Sequence, residues 1–137
     1  MKAFPVLIAL CCLFFAGCAA TSIDSKIKQY GKLAPQISLG DSKAKFLEVF
    51  APLFDLPQMY QKPTDQYMQD GKTVAIYYIR SNRISDYLTT DDEFTPYIFT
   101  DSVLTGIGWA VLGGPKSRGQ SPTATGVNIN NSTTVIH

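Results

Sequence analysis

The chain has 137 residues, with 12 basic and 11 acidic side chains and a net charge of +1. That length holds one domain and not two, and the charge balance gives no electrostatic drive toward nucleic acid. The sole histidine is His137, the last residue, so no histidine-based catalytic pair or metal cluster can be drawn from the sequence.

The N-terminus carries the strongest signal. Lys2 is followed by an apolar run from Phe4 to Phe15 and then by Ala16-Gly17-Cys18. A charged start, a short apolar core and small residues before a cut site make a secretory signal peptide. The ending resembles the lipobox of bacterial lipoproteins, with Phe15 where leucine is usual. The resemblance implies cleavage between Gly17 and Cys18, a diacylglycerol on the Cys18 thiol and an acyl chain on its new amino group. The competing readings are a plain signal peptide or a membrane helix. The stretch from Ala3 to Ala20 is about the 18-residue minimum for a span, but no basic flank follows it before Lys26. Two or more acyl chains hold a protein stably on a leaflet. Ala19, rather than aspartate, points by the same resemblance to the outer membrane. Cys11 and Cys12 leave with residues 1–17, so the mature chain has no disulfide, and its 11 basic and 11 acidic side chains balance.

Residues 18–22 form a short tether. Ile23, Ile27, Tyr30 and Leu33 then recur at helical spacing. Ser22 or Asp24 can begin this helix and Gly31 is placed to end it early. Lys26, Lys28 and Lys32 either rest on anionic head groups or face water. A second helix opens after Ile37-Ser38-Leu39-Gly40, capped by Asp41 or Ser42. Its apolar stripe is Phe46, Val49, Phe50, Leu53 and Phe54, and Pro52 should end it near Ala51.

The period then changes. Asp70-Gly71 is a hairpin turn, because both central residues of a type I′ turn need positive φ. Gln66–Gln69 precedes it. Lys72–Arg80 follows, rich in β-branched and aromatic residues. Val74, Ile76 and Tyr78 share one face and Ala75, Tyr77 and Ile79 the other, so this is a central strand covered on both sides. Residues 81–95 are a polar connection. Its acidic run, Asp91-Asp92-Glu93, lacks the ligand spacing of a calcium loop and reads as solvated. Pro96–Thr100 is a third strand, Asp101-Ser102 a turn and Val103–Leu112 a fourth strand. Gly106 and Gly108 weaken that strand or mark a bulge. From Gly113 to His137 the composition is rich in Gly, Pro, Ser, Thr and Asn, which predicts a flexible tail.

The predicted fold class is α+β, with two N-terminal helices packed on one face of a small antiparallel sheet of three to four strands. The folded domain spans 23–112. The helix opening at Ile37–Ser42, the proline turn at Pro57 and the aromatic strands at Ile76–Ile79 and Tyr97–Leu104 resemble the SmpA/OmlA (BamE-like) lipoprotein group. The match covers about 37–109. That resemblance implies a small periplasmic domain acting in outer-membrane assembly.

No activating base accompanies the Ser, Thr and Tyr hydroxyls in the pattern, so the chain reads as non-enzymatic, with no cofactor besides the lipid on Cys18. The expected partners are the membrane, through that lipid, and an envelope protein; nucleic acid is not expected. Tyr60, Tyr67 and Tyr87 fall in the less regular stretches. Each fits either an interface anchor or a cap on the core edge. The alternative role is an inhibitor-like or cell-wall-binding periplasmic module.

Overall fold

The computed structural model describes residues 22–120. The cleavage and acylation sites at Gly17 and Cys18, and the tail after residue 120, lie outside the described residues. The architecture is α+β: two helices precede a four-stranded antiparallel sheet of order β1-β2-β3-β4.

Helix α1 spans Ile23–Leu33 and α2 spans Lys43–Phe50. Serine hydroxyls cap both: Ser22 accepts from the Ser25 N–H and Ser42 from the Lys45 N–H, each at 3.1 Å. Gly31 does not end α1. Pro52 acts as expected, since the α-helix stops at Phe50 and a single 3₁₀ turn, Ala51–Leu53, follows.

Strands β1 (Asp65–Gln69) and β2 (Lys72–Arg80) meet at Asp70-Gly71, where both residues have positive φ, 50° and 74°. Strands β3 (Phe94–Thr100) and β4 (Val103–Ile107) meet at Asp101-Ser102, also left-handed at both positions. One Asp101 carboxylate oxygen accepts the Thr73 N–H at 3.0 Å and ties the two turns together.

The alternation in β2 decides the layers. Ala75 and Ile79, with Tyr77 at the margin, face the helices and join Phe46, Phe50, Tyr97, Phe99 and Leu104 in the main core. Phe46 is its centre, with the rings of Phe50, Phe99 and Tyr97 at 5.0, 5.0 and 5.1 Å between centroids. Burial and a hydroxyl contact with Tyr30 at 3.1 Å push the Tyr97 phenol well above its ordinary pKa. On the opposite face Val74, Ile76 and Ile98 form a second cluster under Leu112.

The cover on that face comes from residues 108–112, expected as the end of the fourth strand. β4 ends at Ile107, and Trp109–Leu112 is a 3₁₀ turn. Gly108, at φ 91°, lets the chain fold back over the sheet. The register shifts opposite Ile98 and Phe99, the bulge the glycines forecast. Gly106 lies under this turn; a Cβ there would sit 3.0 Å from Val111 Cγ1.

Two further expectations are corrected. The acidic run is not a solvated loop. It forms a 3₁₀ turn with a Thr90/Glu93 capping box, and Asp91 and Glu93 are buried. Residues 113–120, read as the start of a flexible tail, are held against it. The N–H groups of Lys116 and Ser117 donate to Asp91 at 3.0 and 3.2 Å, that of Gly119 to Asp92 at 3.0 Å and that of Gln120 to Asp86 at 2.7 Å. Composition pointed elsewhere because these residues are fixed through backbone donors, which carry no sequence signature.

Candidate functional site

The two edges of the sheet differ. Along β4, the segment before α2 lies on the edge. The Gly40 N–H donates to the Leu104 carbonyl at 2.8 Å, the Leu104 N–H to the Asp41 carbonyl and the Lys43 N–H to the Ser102 carbonyl, both at 2.9 Å. Among the described residues nothing comparable covers β1, all five of whose residues are exposed. Gln69 and Lys72 flank a two-residue turn and pair directly. Alternation from that pair points the backbone N–H and C=O of Gln66 and Met68 away from β2, into open space.

A belt of three clefts leads from this edge to the loop after β2. The largest, about 470 Å³, lies on the face away from the helices, between Tyr67 and the Trp109–Leu112 turn, with Ile76 and Tyr78 in its lining. Tyr78 stacks with Trp109 at 5.7 Å, donates to an Asp65 carboxylate oxygen at 2.6 Å and lies 4.7 Å from the Lys62 ammonium. Burial, then the bond to Asp65, pushes its phenol pKa strongly up, so it stays protonated as a donor. The Trp109 indole N–H is taken by the Phe94 carbonyl at 2.7 Å, which fixes the ring.

The second cleft, about 120 Å³, has a sequence cause. The pair Asp65–Ile76 ends the β1–β2 ladder. Two residues further back the register would set Pro63 against Tyr78, and proline has no N–H to give. The chain at 60–64 therefore leaves β2, opening a gap lined by Tyr60, Lys62, Tyr78 and Arg80. Arg80 is held by the Tyr60 carbonyl at 3.2 Å and Glu93 Oε1 at 2.8 Å. Its Nε is the one buried side-chain polar atom without a partner among the described residues. Glu93, fully buried, also accepts the N–H groups of Ile84 and Thr90 at 2.8 and 3.0 Å.

The third cleft, about 330 Å³, lies between Ile23, Tyr60, Arg83, Tyr87 and Leu88. Asp91, between the belt and the 113–120 strap, feels burial raising its carboxyl pKa. The Lys62 ammonium at 3.0 Å and the N–H of Lys116 outweigh that, and the net shift is downward.

All three tyrosines singled out from sequence line this belt. Tyr67 sits half-exposed on the large cleft, Tyr60 between the other two and Tyr87 fully exposed at the far end. Tyr78 and Trp109 were missed; they read as interior strand residues. Their signal was Pro63 and Gly108, which remove the neighbours that would have buried them. Lys26 is not available to a head group, because it is buried with its ammonium on the Pro52 carbonyl at 2.6 Å. The described residues contain no group of three His, Cys, Asp or Glu placed to hold a metal ion. None of their helices is long and apolar enough to cross a membrane.

No family model, curated protein or solved structure matches the chain.

Proposed function

We propose that this protein is a lipid-anchored envelope lipoprotein, held at the periplasmic face of the outer membrane by acyl chains on Cys18. Its non-enzymatic domain binds another protein by adding a strand to β1. The observation that carries this reading is the contrast of edges: β4 is covered by backbone bonds from 40–43, while β1 offers bare donors and acceptors beside a tyrosine-lined cleft. Main-chain pairing supplies affinity in such complexes, and pockets for alternate side chains supply specificity. Ala16-Gly17-Cys18 supports the anchor, which raises the domain's local concentration among membrane residents. The resemblance to the SmpA/OmlA (BamE-like) group, together with the helix-helix-sheet order, supports a role in outer-membrane assembly.

The test is capture from detergent-solubilised envelopes with Gln66→Pro and Met68→Pro variants. Each removes an outward N–H and leaves the β1–β2 ladder bonds in place. Loss of the captured protein with an unchanged circular dichroism spectrum is the expected result. Capture that survives both changes sinks strand addition. Equal recovery from soluble periplasm by a Cys18→Ala variant sinks the assembly role.

A second reading, a cell-wall-binding module, is favoured by one feature. The stacked Tyr78–Trp109 pair borders the large open cleft with Asp65, Gln66 and Lys116 in its lining, and aromatic faces ringed by polar groups suit a sugar. Titration with soluble glycan fragments, read by Trp109 fluorescence, separates the two readings.

A further inference from the structure

The loop between β2 and β3 ends in a tip that the core does not use. Tyr87 is fully exposed, Leu88 is 54% exposed, and Met59, whose carbonyl accepts the Thr89 hydroxyl at 3.5 Å, is 70% exposed. Tyr87 has φ 63°, a left-handed conformation that costs a bulky side chain energy. One oxygen of Asp86 accepts the Leu88 N–H at 2.9 Å and the other the Gln120 N–H at 2.7 Å. The tip is thus held outward by backbone bonds and not by apolar contact.

Its position matters. Ile23, the first residue of α1, lines the same cleft as Tyr87 and Leu88, and Asp24 pairs with Arg83 at 3.2 Å. Ser22 lies four steps along the chain from Cys18, at most about 14 Å. Any lipid on Cys18 therefore brings the membrane surface within reach of the tip. The β1–β2 turn lies at the other end of β2, about 27 Å away. Arg83 and Lys28, one helical turn after Asp24, supply cations on the same side.

We infer that Tyr87, Leu88 and Met59 form a second membrane contact, seated in the lipid interface beside the acyl anchor. Tyrosine suits that zone, with an apolar ring and a hydroxyl that stays wet. Lys28 meets lipid phosphates, and Arg83 does so by exchanging the exposed Asp24 carboxylate for a phosphate. The contact turns a flexible tether into a two-point attachment and fixes which way the β1 edge faces. This inference rests on acylation of Cys18.

The test uses the mature, full-length protein in vesicles of phosphatidylethanolamine and phosphatidylglycerol, with no other protein present. With Cys18 acylated and residues 1–17 removed, Leu88→Cys provides the only free thiol for a spin label; Met59→Cys is a second probe and Lys72→Cys, at the far end of β2, a control. Mass spectrometry of the same sample establishes acylation. The expected result is a gain in collisions with oxygen and a loss of collisions with a water-soluble nickel complex at 88 and 59, but not at 72. Acylated protein whose labels at 88 and 59 stay as wet as that at 72 overturns the contact and leaves the anchor intact. Protein without acyl chains overturns the anchor and the contact together. Shielding in native envelopes but not in pure lipid assigns the tip to a protein partner and overturns the lipid contact.

Discussion

β1 and β4 are both short outer strands of one sheet, yet the fold treats them oppositely. β4 receives two backbone bonds at Leu104, from Gly40 and Asp41, and the turn before it receives a third, from Lys43 to Ser102. β1 receives none from the described residues and keeps Tyr67 and Met68 in the open. An uncovered edge is an aggregation liability that proteins normally blunt. Here the fold had a covering segment and placed it on the other side. The side left open is also the side where Pro63 interrupts the ladder and where the aromatic cleft lies. The comparison teaches that exposure of β1 is a local choice of the chain and not a consequence of small size.

The comparison is broken most severely from the foot of the open side. Glu93→Ala leaves Arg80 buried without its counter-charge and strips the Ile84 and Thr90 N–H groups of their acceptor. A loss of about 3–5 kcal/mol in urea unfolding is expected, and a loss under about 1 kcal/mol refutes the role of the pair. Gly119→Ala comes next. Its Cβ would meet Ile84 Cδ1 at 2.5 Å, so the strap must lift from Ile84 and the acidic turn. The expected cost is about 1–3 kcal/mol, with faster proteolysis after Lys116 or Arg118. Ser42→Ala weakens the closed edge through loss of the α2 cap, by about 1 kcal/mol, and should speed amide exchange at Gly40 and Leu104. The smallest stability effect belongs to the open edge. Gln66→Pro should cost less than about 1 kcal/mol, because that N–H bonds to nothing within the fold. Hydrogen exchange checks the contrast without mutation: Gln66 and Met68 amides exchange quickly, Gly40 and Leu104 amides slowly.

Acid sharpens it further. The Ser38 N–H, then the Lys45 ammonium at 2.9 Å, hold the Asp41 carboxyl below its ordinary value of 3.8. The Leu88 and Gln120 N–H groups do the same for Asp86. A depressed carboxylate stabilises the fold fully above its unfolded pKa, and that contribution is lost as pH falls from 3.8 through the folded value. The closed edge near Asp41 and the strap near Asp86 should therefore loosen below about pH 4, while the outward amides of Gln66 and Met68, which no carboxylate holds, keep the same exchange rates relative to intrinsic ones. Asp41→Asn should remove the acid response at Gly40 and Leu104. Two-dimensional NMR of those amides reads it.

Much of the fold was legible. The helical stripe at Phe46–Phe54, the Asp70-Gly71 turn and the two-faced apolar pattern of β2 each obey a local period; the structure keeps the turn and the strand pattern whole, and the stripe at Phe46, Phe50 and Leu53 but not at the exposed Phe54. The candidate site was legible only as scattered tyrosines. Tyr78 and Trp109 follow the same alternation as core residues, and no period distinguishes a ring under a neighbour from a ring beside a gap. The acidic run shows the same limit from the other side. Asp91-Asp92-Glu93 has the composition of a wet loop, and Arg80, Lys62 and the strap that bury it lie 11 to 29 residues away on either side.

Element type, order and the inward faces were settled by the chain itself, because period, caps and turns act over a few neighbouring residues. Which edge stays open, where the three clefts fall and how the acidic turn is neutralised were settled only by folding. Those features depend on long-range register and on backbone donors, and every residue has the same backbone N–H to give except proline.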